Sequence, residues 1–331
     1  MPIVVSAAGV HTGGGRTILA GLLSALGSDD KVLLDRRYPA AAESTAAQVC
    51  GVSPGLLGRV LGERMLWRLA RDADLVLCLN GMPPLRRLPA RAAVFLQNKL
   101  LIDPKAHRGW RLSVRRFVLR RGIPNTDIAI VQTETMAGLA RATGFKNVLV
   151  APVFEWLPAQ PAVTAGPPCD FFYPADGQPH KNHARLFAAW ERLARSGVRP
   201  HLGVTLADAY ADVWTLAQPA IAAGARITNY GWISREETLA LLSNARALVF
   251  PSQEESFGLP LVEAQMLNRP IIASELDYVR DVARPCQTFD PNSDISIARA
   301  VRRFLGEAED LHAAHAPAAW LRKVVDYSKT V

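Results

Sequence analysis

The 331-residue chain has no run approaching the roughly 18 consecutive apolar residues that a membrane-spanning helix needs, although 49% of its residues are hydrophobic. It has only four cysteines, Cys50, Cys78, Cys169 and Cys286, far apart and without a Cys-x-x-Cys pair. They are expected as reduced thiols in the interior of a cytoplasmic protein. The opening MPIVVSAAGVHTGGG has no basic stretch before its short apolar run, so no secretory signal is expected. No repeat of fixed period is present, and the one biased composition is alanine-rich helix, as at Ala313–Ala319. The His-x-x-His pairs His180/His183 and His312/His315 lack the neighbouring glutamate of a zinc-protease helix, so no metal site is expected. No nucleophile elbow is visible. With 21% charged residues the chain is too apolar for disorder, and its length suits two ordinary domains.

Charge is present but one-sided. Residues 1–165 hold 21 Lys and Arg against 11 Asp and Glu, whereas residues 166–331 hold 17 against 19. A basic half attracts nucleic acid, anionic lipid or a phosphorylated substrate. No helix-turn-helix, zinc or stacking-platform pattern accompanies the charge, so nucleic acid is not an expected partner.

Short apolar runs bounded by turn residues alternate with segments of helical spacing. They fall at Ile3–Ala7, Lys31–Leu34, Leu75–Leu79, Ala92–Leu96, Ile128–Val131 and Val148–Ala151, then at Phe171–Tyr173, His201–Thr205, Ala225–Thr228, Ala247–Phe250 and Ile271–Ser274. Alternation at this spacing predicts α/β architecture with two doubly wound, Rossmann-like domains of parallel strands. Pro152, Pro158, Pro161, Pro167 and Pro168 crowd one stretch, and proline continues neither a helix nor a central strand. The expected division is a basic first domain over 1–152, a linker over 153–169, a second domain over 170–305 and a helical segment over 306–331 that crosses back towards the first. A ligand is expected in the crevice at the strands' carboxyl ends.

The segment Ala247–Asp281 reads ALVFPSQEESFGLPLVEAQMLNRPIIASELDYVRD. A strand ends at Phe250, a polar loop follows, and Pro260 stands where the first turn of a helix tolerates proline. The loop delivers Glu255 and the amides around Phe257–Leu259 at a helix N-terminus, a natural anion site. Glu263 lies eight residues after Glu255; it borders the same pocket or simply complements the helix dipole. In Phe171–Trp190 a strand and a Pro/Gly loop lead to Lys181 and Asn182 at a helix start, where Asn182 is a good N-cap. A lysine there is electrostatically unfavourable unless an anion sits between it and the helix; the alternative is a solvated loop cation. Gly13, Gly14, Gly15 and Arg16 follow the first strand and open a helix; their spacing suits close backbone approach to a ligand or a plain tight turn.

Glu255-Ser-Phe-Gly-Leu-Pro-Leu-Val-Glu263, with Pro251-Ser252 before it and Arg269-Pro-Ile-Ile-Ala-Ser274 after it, resembles the E-x7-E motif of retaining, GT-B fold glycosyltransferases of family 4. The resemblance covers Phe171–Asp281 well and the first half only through its glycine loop and strand order. It implies two Rossmann-like domains facing across a cleft, and transfer of a sugar from a nucleotide diphosphate donor, UDP- or GDP-linked, to a glycan or lipid-linked acceptor. No cofactor or catalytic metal is implied. Lys181 matches the lysine that binds the donor diphosphate, and Glu255 the carboxylate facing the transferred sugar, either binding its hydroxyls or steadying charge at the anomeric carbon. Glu263 matches the ribose ligand. Ser256, Phe257, Gly258 and Leu259 would supply the amide loop, Trp232 in Gly231-Trp-Ile-Ser234 would stack on the base, and Gly14, Gly15 and Arg16 would close on the donor. Two positions depart from the family: Ala175 replaces an arginine about six residues before the lysine, and Gln97-Asn98 stands where many relatives have a histidine. Arg16 is a candidate to compensate for Ala175, and Asn98 a candidate to hydrogen-bond the reacting sugars.

In the basic half, Arg108–Arg121 is RGWRLSVRRFVLRR. Helical spacing puts Trp110, Val114, Phe117 and Val118 on one face with Arg111 and Arg115 beside it. Arg64, Arg68 and Arg71 with Trp67 repeat the pattern. Such helices lie on an anionic membrane surface or form ordinary domain surface with the apolar stripe in the core. The charge imbalance favours membrane contact at the inner face. The family resemblance implies a role in cell-surface polysaccharide synthesis, such as lipopolysaccharide, O-antigen or capsule. The alternatives are an epimerase or phosphorylase on the same fold, or an inactive subunit that binds nucleotide sugar or lipid.

Overall fold

The computed structural model describes residues 1–11, 13–38, 45–103, 109–153, 169–307 and 316–328. The expected linker over 153–169 falls almost entirely outside them, as do His312 and His315.

Two fully parallel sheets are present, as the apolar runs predict. The first comprises β1 (Ile3–Ala7), β2 (Lys31–Asp35), β3 (Gln48–Val52), β4 (Leu75–Cys78), β5 (Arg91–Phe95), β6 (Ile128–Val131) and β7 (Val148–Val150), in the order β3-β2-β1-β4-β5-β6-β7. The second comprises β8 (Phe171–Tyr173), β9 (His201–Val204), β10 (Arg226–Asn229), β11 (Ala247–Phe250), β12 (Ile271–Ser274) and β13 (Gln287–Phe289), in the order β10-β9-β8-β11-β12-β13. Chain order reverses direction beside β1 in one sheet and beside β8 in the other. The crevice at such a reversal is where an open parallel sheet takes its ligand.

The run pattern misses two strands, β3 and β13. Both are edge strands: β3 is largely exposed, and only Phe289 of β13 is buried. Polar and small residues, Gln48, Cys50 and Gly51 in β3 and Gln287 and Thr288 in β13, break the apolar run, so hydropathy alone does not mark these strands.

The second domain packs around the His183–Arg195 helix. His183, Leu186, Phe187, Trp190, Leu193 and Ala194 recur at three- and four-residue spacing and are all buried. This stripe lies on β8, all three of whose side chains are inaccessible, and Phe171 meets the Trp190 ring edge-on at 5.6 Å. The Trp190 indole donates to the Pro200 carbonyl at 3.0 Å, so the buried ring leaves no polar atom unpaired. Packed directly beside it, the Asp294–Leu305 helix buries Ile297, Ala298, Ala300 and Val301.

The first domain has two helices that are only half committed to its core. In the Gly109–Gly122 helix Leu119 is buried, and Leu112 and Val118 pack against the core, while Trp110, Val114 and Phe117 are exposed. Val118 therefore belongs to the inward face, not to the outward one expected for it, because its place beside Leu119 turns it to the sheet. In the Leu56–Leu69 helix Leu66 is buried and Val60, Leu61 and Met65 are exposed. That helix ends before Arg71, which lies in the following short turn with its guanidinium 4.3 Å from the Trp67 ring centroid. Arg71 is thus a cation–π partner and not a third arginine of the helix face. The Pro317–Ser328 helix exposes every residue except the half-buried Ala319.

Candidate active site at the domain cleft

Two loops at the carboxyl ends of β8 and β11 bring the central charges together. After β8, a turn through Pro179–Lys181 leads to Asn182, whose φ of 64° is in the left-handed region. Its side chain does not cap the following helix as expected. The amide donates instead to the carbonyls of Pro251 at 3.1 Å and Pro291 at 2.7 Å, tying the β8 loop to the segments after β11 and β13. Asparagine tolerates left-handed backbone better than most residues, which fits it to this knot.

Fixed by that tie, the Lys181 ammonium donates to Glu255 Oε1 at 2.6 Å. The Ser252 hydroxyl donates to the same oxygen at 2.8 Å. Beneath them the Tyr173 hydroxyl donates to the Lys181 carbonyl at 2.9 Å and lies 3.0 Å from Ser252 Oγ, and the Tyr278 hydroxyl donates to the Ser252 carbonyl at 2.7 Å. Burial pushes the Tyr173 hydroxyl well above its ordinary pKa, with the Glu255 charge adding to the effect, so it remains a neutral donor. His183 stacks beside Tyr173 with centroids 5.1 Å apart, and neither ring nitrogen finds a hydrogen-bond partner among the described residues. Burial, helped by the Lys181 charge, lowers its pKa to about 3. The imidazole is a neutral packing element.

Glu263 sits in the Leu259–Met266 helix and is buried. It does not sit at the helix start as a dipole partner: its carboxylate faces Arg235 at 3.5 Å. Burial raises its pKa while Arg235 opposes the rise. Arg235 is the first residue of the Arg235–Asn244 helix, whose N-terminus is closed by a capping box between Ser234 and Glu237. The Ser-x-x-Glu spacing marks this helix start in the sequence, but nothing there pairs Arg235 with a glutamate 28 positions away.

Two cavities open on this arrangement. One, of about 420 Å3, is lined by Ala175, Trp232, Arg235, Leu259, Pro260 and Glu263 among others. The Trp232 ring is 80% exposed there, available as a flat face. Ala175 and Arg235 line the same space, so a cation stands in the cavity where the residue before the lysine supplies none. Arg16 is exposed and is absent from the lining of this cavity and of the larger one, which gives no support to a compensating role for it. The larger cavity, about 600 Å3, lies between the domains and is lined by Gly15, Gln97, Asn98 and Arg115 on one side and His180, Glu255 and Ser256 on the other.

Several expected ligands also make structural contacts. The Asn98 carbonyl oxygen accepts from the Leu100 amide and caps the short Lys99–Ile102 helix. The Gln97 amide donates to the Leu79 carbonyl. The Ser256 hydroxyl accepts from the Lys99 amide at 2.9 Å and so bridges the domains. Gly13–Gly15 form the first turn of the Gly13–Ala25 helix, not a loop. A β-carbon on Gly14 would come within 3.0 Å of Leu259 across the interface, which is why a glycine stands there. Phe257 is buried, and Gly258 holds the left-handed backbone that starts the next helix without a side-chain cap. Trp110, Phe117 and Arg115 are exposed on the first domain; the Arg111 side chain lies outside the described residues.

Paired Rossmann-like domains with the charged residues on the second, at strand carboxyl ends facing a cleft, define a GT-B architecture. Residues 163–318 match the model of glycosyl transferases group 1. Over 132 residues the chain is 31% identical to the serotype-specific mannosyltransferase WbdA of Escherichia coli, covering 39% of this chain and 16% of WbdA. The chain thus spans about a sixth of this curated relative's length. Among solved structures, the lipopolysaccharide outer core galactosyltransferase WaaB superposes with a TM-score of 0.66 at 14% identity, covering 93% of this chain and 92% of WaaB. HepE of Anabaena in complex with UDP-glucose superposes with a TM-score of 0.67 at 15% identity, covering 92% of this chain and 90% of HepE. At such identities the likeness establishes the fold. No described helix is long and apolar enough to cross a membrane.

Proposed function

We propose that the protein is a glycosyltransferase that moves a sugar from a nucleotide diphosphate donor to a glycan or lipid-linked acceptor in bacterial cell-surface polysaccharide synthesis, with retention at the anomeric carbon. The observation that carries this reading is the Lys181–Glu255 pair, locked by Ser252 and Tyr173 at the edge of the interdomain cavity. A departing diphosphate needs its growing charge met, and a fixed ammonium with the amides at Phe257–Leu259 supplies that without reorganisation. When donor enters, its phosphates compete with Glu255 for Lys181, which leaves the carboxylate facing the sugar hydroxyls. Glu263 and Arg235 line the neighbouring cavity as ligands for the ribose and the phosphate nearest it, and Trp232 offers a face for the base. In this reading the cations and amides do the work of a metal, so transfer proceeds without one. The mannosyltransferase WbdA and the UDP-glucose complex of HepE support a hexose donor.

The exposed ridge of Trp110, Val114 and Phe117, with Arg115 beside it, suits the surface of an anionic membrane and supports a peripheral enzyme working at the inner face. The test is incubation with labelled UDP- and GDP-hexoses and a bacterial lipid extract in EDTA. Label is expected in the organic phase, with the donor's anomeric configuration kept. Free epimer formed without acceptor, or no turnover with any donor, contradicts the reading.

A further inference from the structure

A site shared by two domains works only while the domains keep one orientation, and paired domains move relative to each other unless something fixes them. Contacts at three described places join them. Gly14, after β1, leaves so little room that a β-carbon there would come within 3.0 Å of Leu259. The Lys99 amide, after β5, donates to Ser256 Oγ at 2.9 Å. The Thr135 amide, after β6, donates to the Asp281 carboxylate at 2.8 Å. The first two end on the loop and helix start that follow Glu255. The third stands apart from them: Asp281 belongs to the Asp277–Val282 helix after β12 and lines neither the interdomain cavity nor the cavity at Trp232.

The Asp281 contact has a physical reason. In the Glu134–Thr143 helix the Thr133 side chain caps the N-terminus by accepting from the Met136 amide at 3.2 Å, and the Ala137 amide donates to the Thr133 carbonyl at 3.0 Å. The Thr135 amide is among the first-turn N–H groups that have no acceptor within their own helix. A carboxylate from the other domain takes it, at the helix end where the backbone dipole favours negative charge. The two helices also pack on each other. In their sheets β6 lies beside β5 and β12 beside β11, so the Asp281 contact runs next to the Ser256–Lys99 contact, one strand further out. The chain leaves the first domain after β7, which adjoins β6, so Asp281 is the contact on the side where the domains are joined in sequence.

Building on the transfer reading above, we propose that Asp281 is a positioning residue: by holding the amino end of the Glu134–Thr143 helix it sets the angle between the domains, and so the distance from Gln97–Asn98 on the first domain to Glu255 on the second. A single hydrogen bond at Ser256 leaves the domains free to rotate about it. A second one, a strand away, removes that freedom. The effect on transfer follows because the rate depends steeply on the separation and alignment of groups that the two domains supply jointly.

The experiment compares the wild type with Asp281→Asn, Asp281→Ala, Thr135→Pro and the Asp281→Ala/Thr135→Pro double variant. Asparagine keeps an acceptor oxygen, and proline, which the first turn of a helix tolerates, removes the N–H. Three quantities are read on each: small-angle X-ray scattering without ligand, the melting-point shift by UDP and GDP, and label transfer from UDP- or GDP-hexose to a bacterial lipid extract. Asp281→Ala and Thr135→Pro are each expected to raise the radius of gyration, to keep the nucleotide shift, and to lower kcat about tenfold with the donor KM unchanged. Asp281→Asn is expected to recover most of the loss. The double variant is expected to be no worse than either single one, because both remove the same bond. Wild-type scattering or wild-type kcat in Asp281→Ala overturns the positioning role, as does an additive loss in the double variant. A nucleotide shift that falls together with kcat overturns it too, since Asp281 would then act on the fold of the donor site. Absence of both nucleotide shift and transfer in the wild type overturns the transfer reading, and the scattering then decides by itself whether Asp281 fixes the domains.

Discussion

The two domains share one topology and use it differently. The second turns its apolar residues inward around Trp190 and keeps its charges as interlocked pairs, Lys181 with Glu255 and Arg235 with Glu263. The first leaves Val60, Leu61, Trp110 and Phe117 on the surface and Arg115 without a described partner. One domain is closed around a site that must hold fixed geometry, since transition-state stabilisation depends on charges already in place. The other leaves apolar side chains uncovered, which fits the membrane contact proposed for it.

That contrast is sharpest in what apolar residues do. Trp190→Ala should lower stability by about 3–5 kcal/mol through the cavity it leaves, whereas Leu61→Ser should change it by less than about 0.5 kcal/mol. Denaturant unfolding reads both, and equal losses would erase the distinction. Within the site, Lys181→Ala should cut transfer about a hundredfold with little change in melting point, as measured by label transfer at saturating donor.

The buried His183 gives the second domain an acid sensitivity. Its pKa is lowered from the ordinary 6.5 to about 3, so the unfolded chain binds the proton that the folded one refuses. Stability is full above about pH 6.5 and falls as pH drops towards 3, by about 2 kcal/mol at pH 5. A His183→Leu variant should flatten the melting curve across this window, and an unchanged slope would show that other groups dominate. Arg235→Ala should weaken donor binding about tenfold, the loss of one charge-assisted contact, as titration calorimetry would show. The smallest effect belongs to the first domain: Trp110→Ser with Phe117→Ser should lower binding to anionic vesicles several-fold and leave the melting point unmoved.

The same contrast governs what the sequence reveals. Buried parallel strands announce themselves as apolar runs, so every run in both halves became a strand, and Lys181, Glu255 and Glu263 stood out because their spacing is local. The strands β3 and β13 escaped because Gln48, Cys50 and Gly51 in one and Gln287 and Thr288 in the other break the apolar run. Partnerships across long separations escaped as well. Nothing in the sequence tells that Ser256 also accepts from the Lys99 amide, 157 positions away, across the cleft. Arg235 carries no sign that it faces Glu263, 28 positions away. Sequence spacing reports what one element does; the cleft depends on how elements from both domains meet.

The account rests on Lys181 exchanging Glu255 for a donor diphosphate. The most direct measurement is the melting point with UDP, GDP and their hexose conjugates, in EDTA, for the wild type and Lys181→Ala. One nucleotide series should raise the wild-type melting point, and Lys181→Ala should lose most of that rise. A rise that Lys181→Ala keeps in full, or none with any nucleotide, would contradict the account.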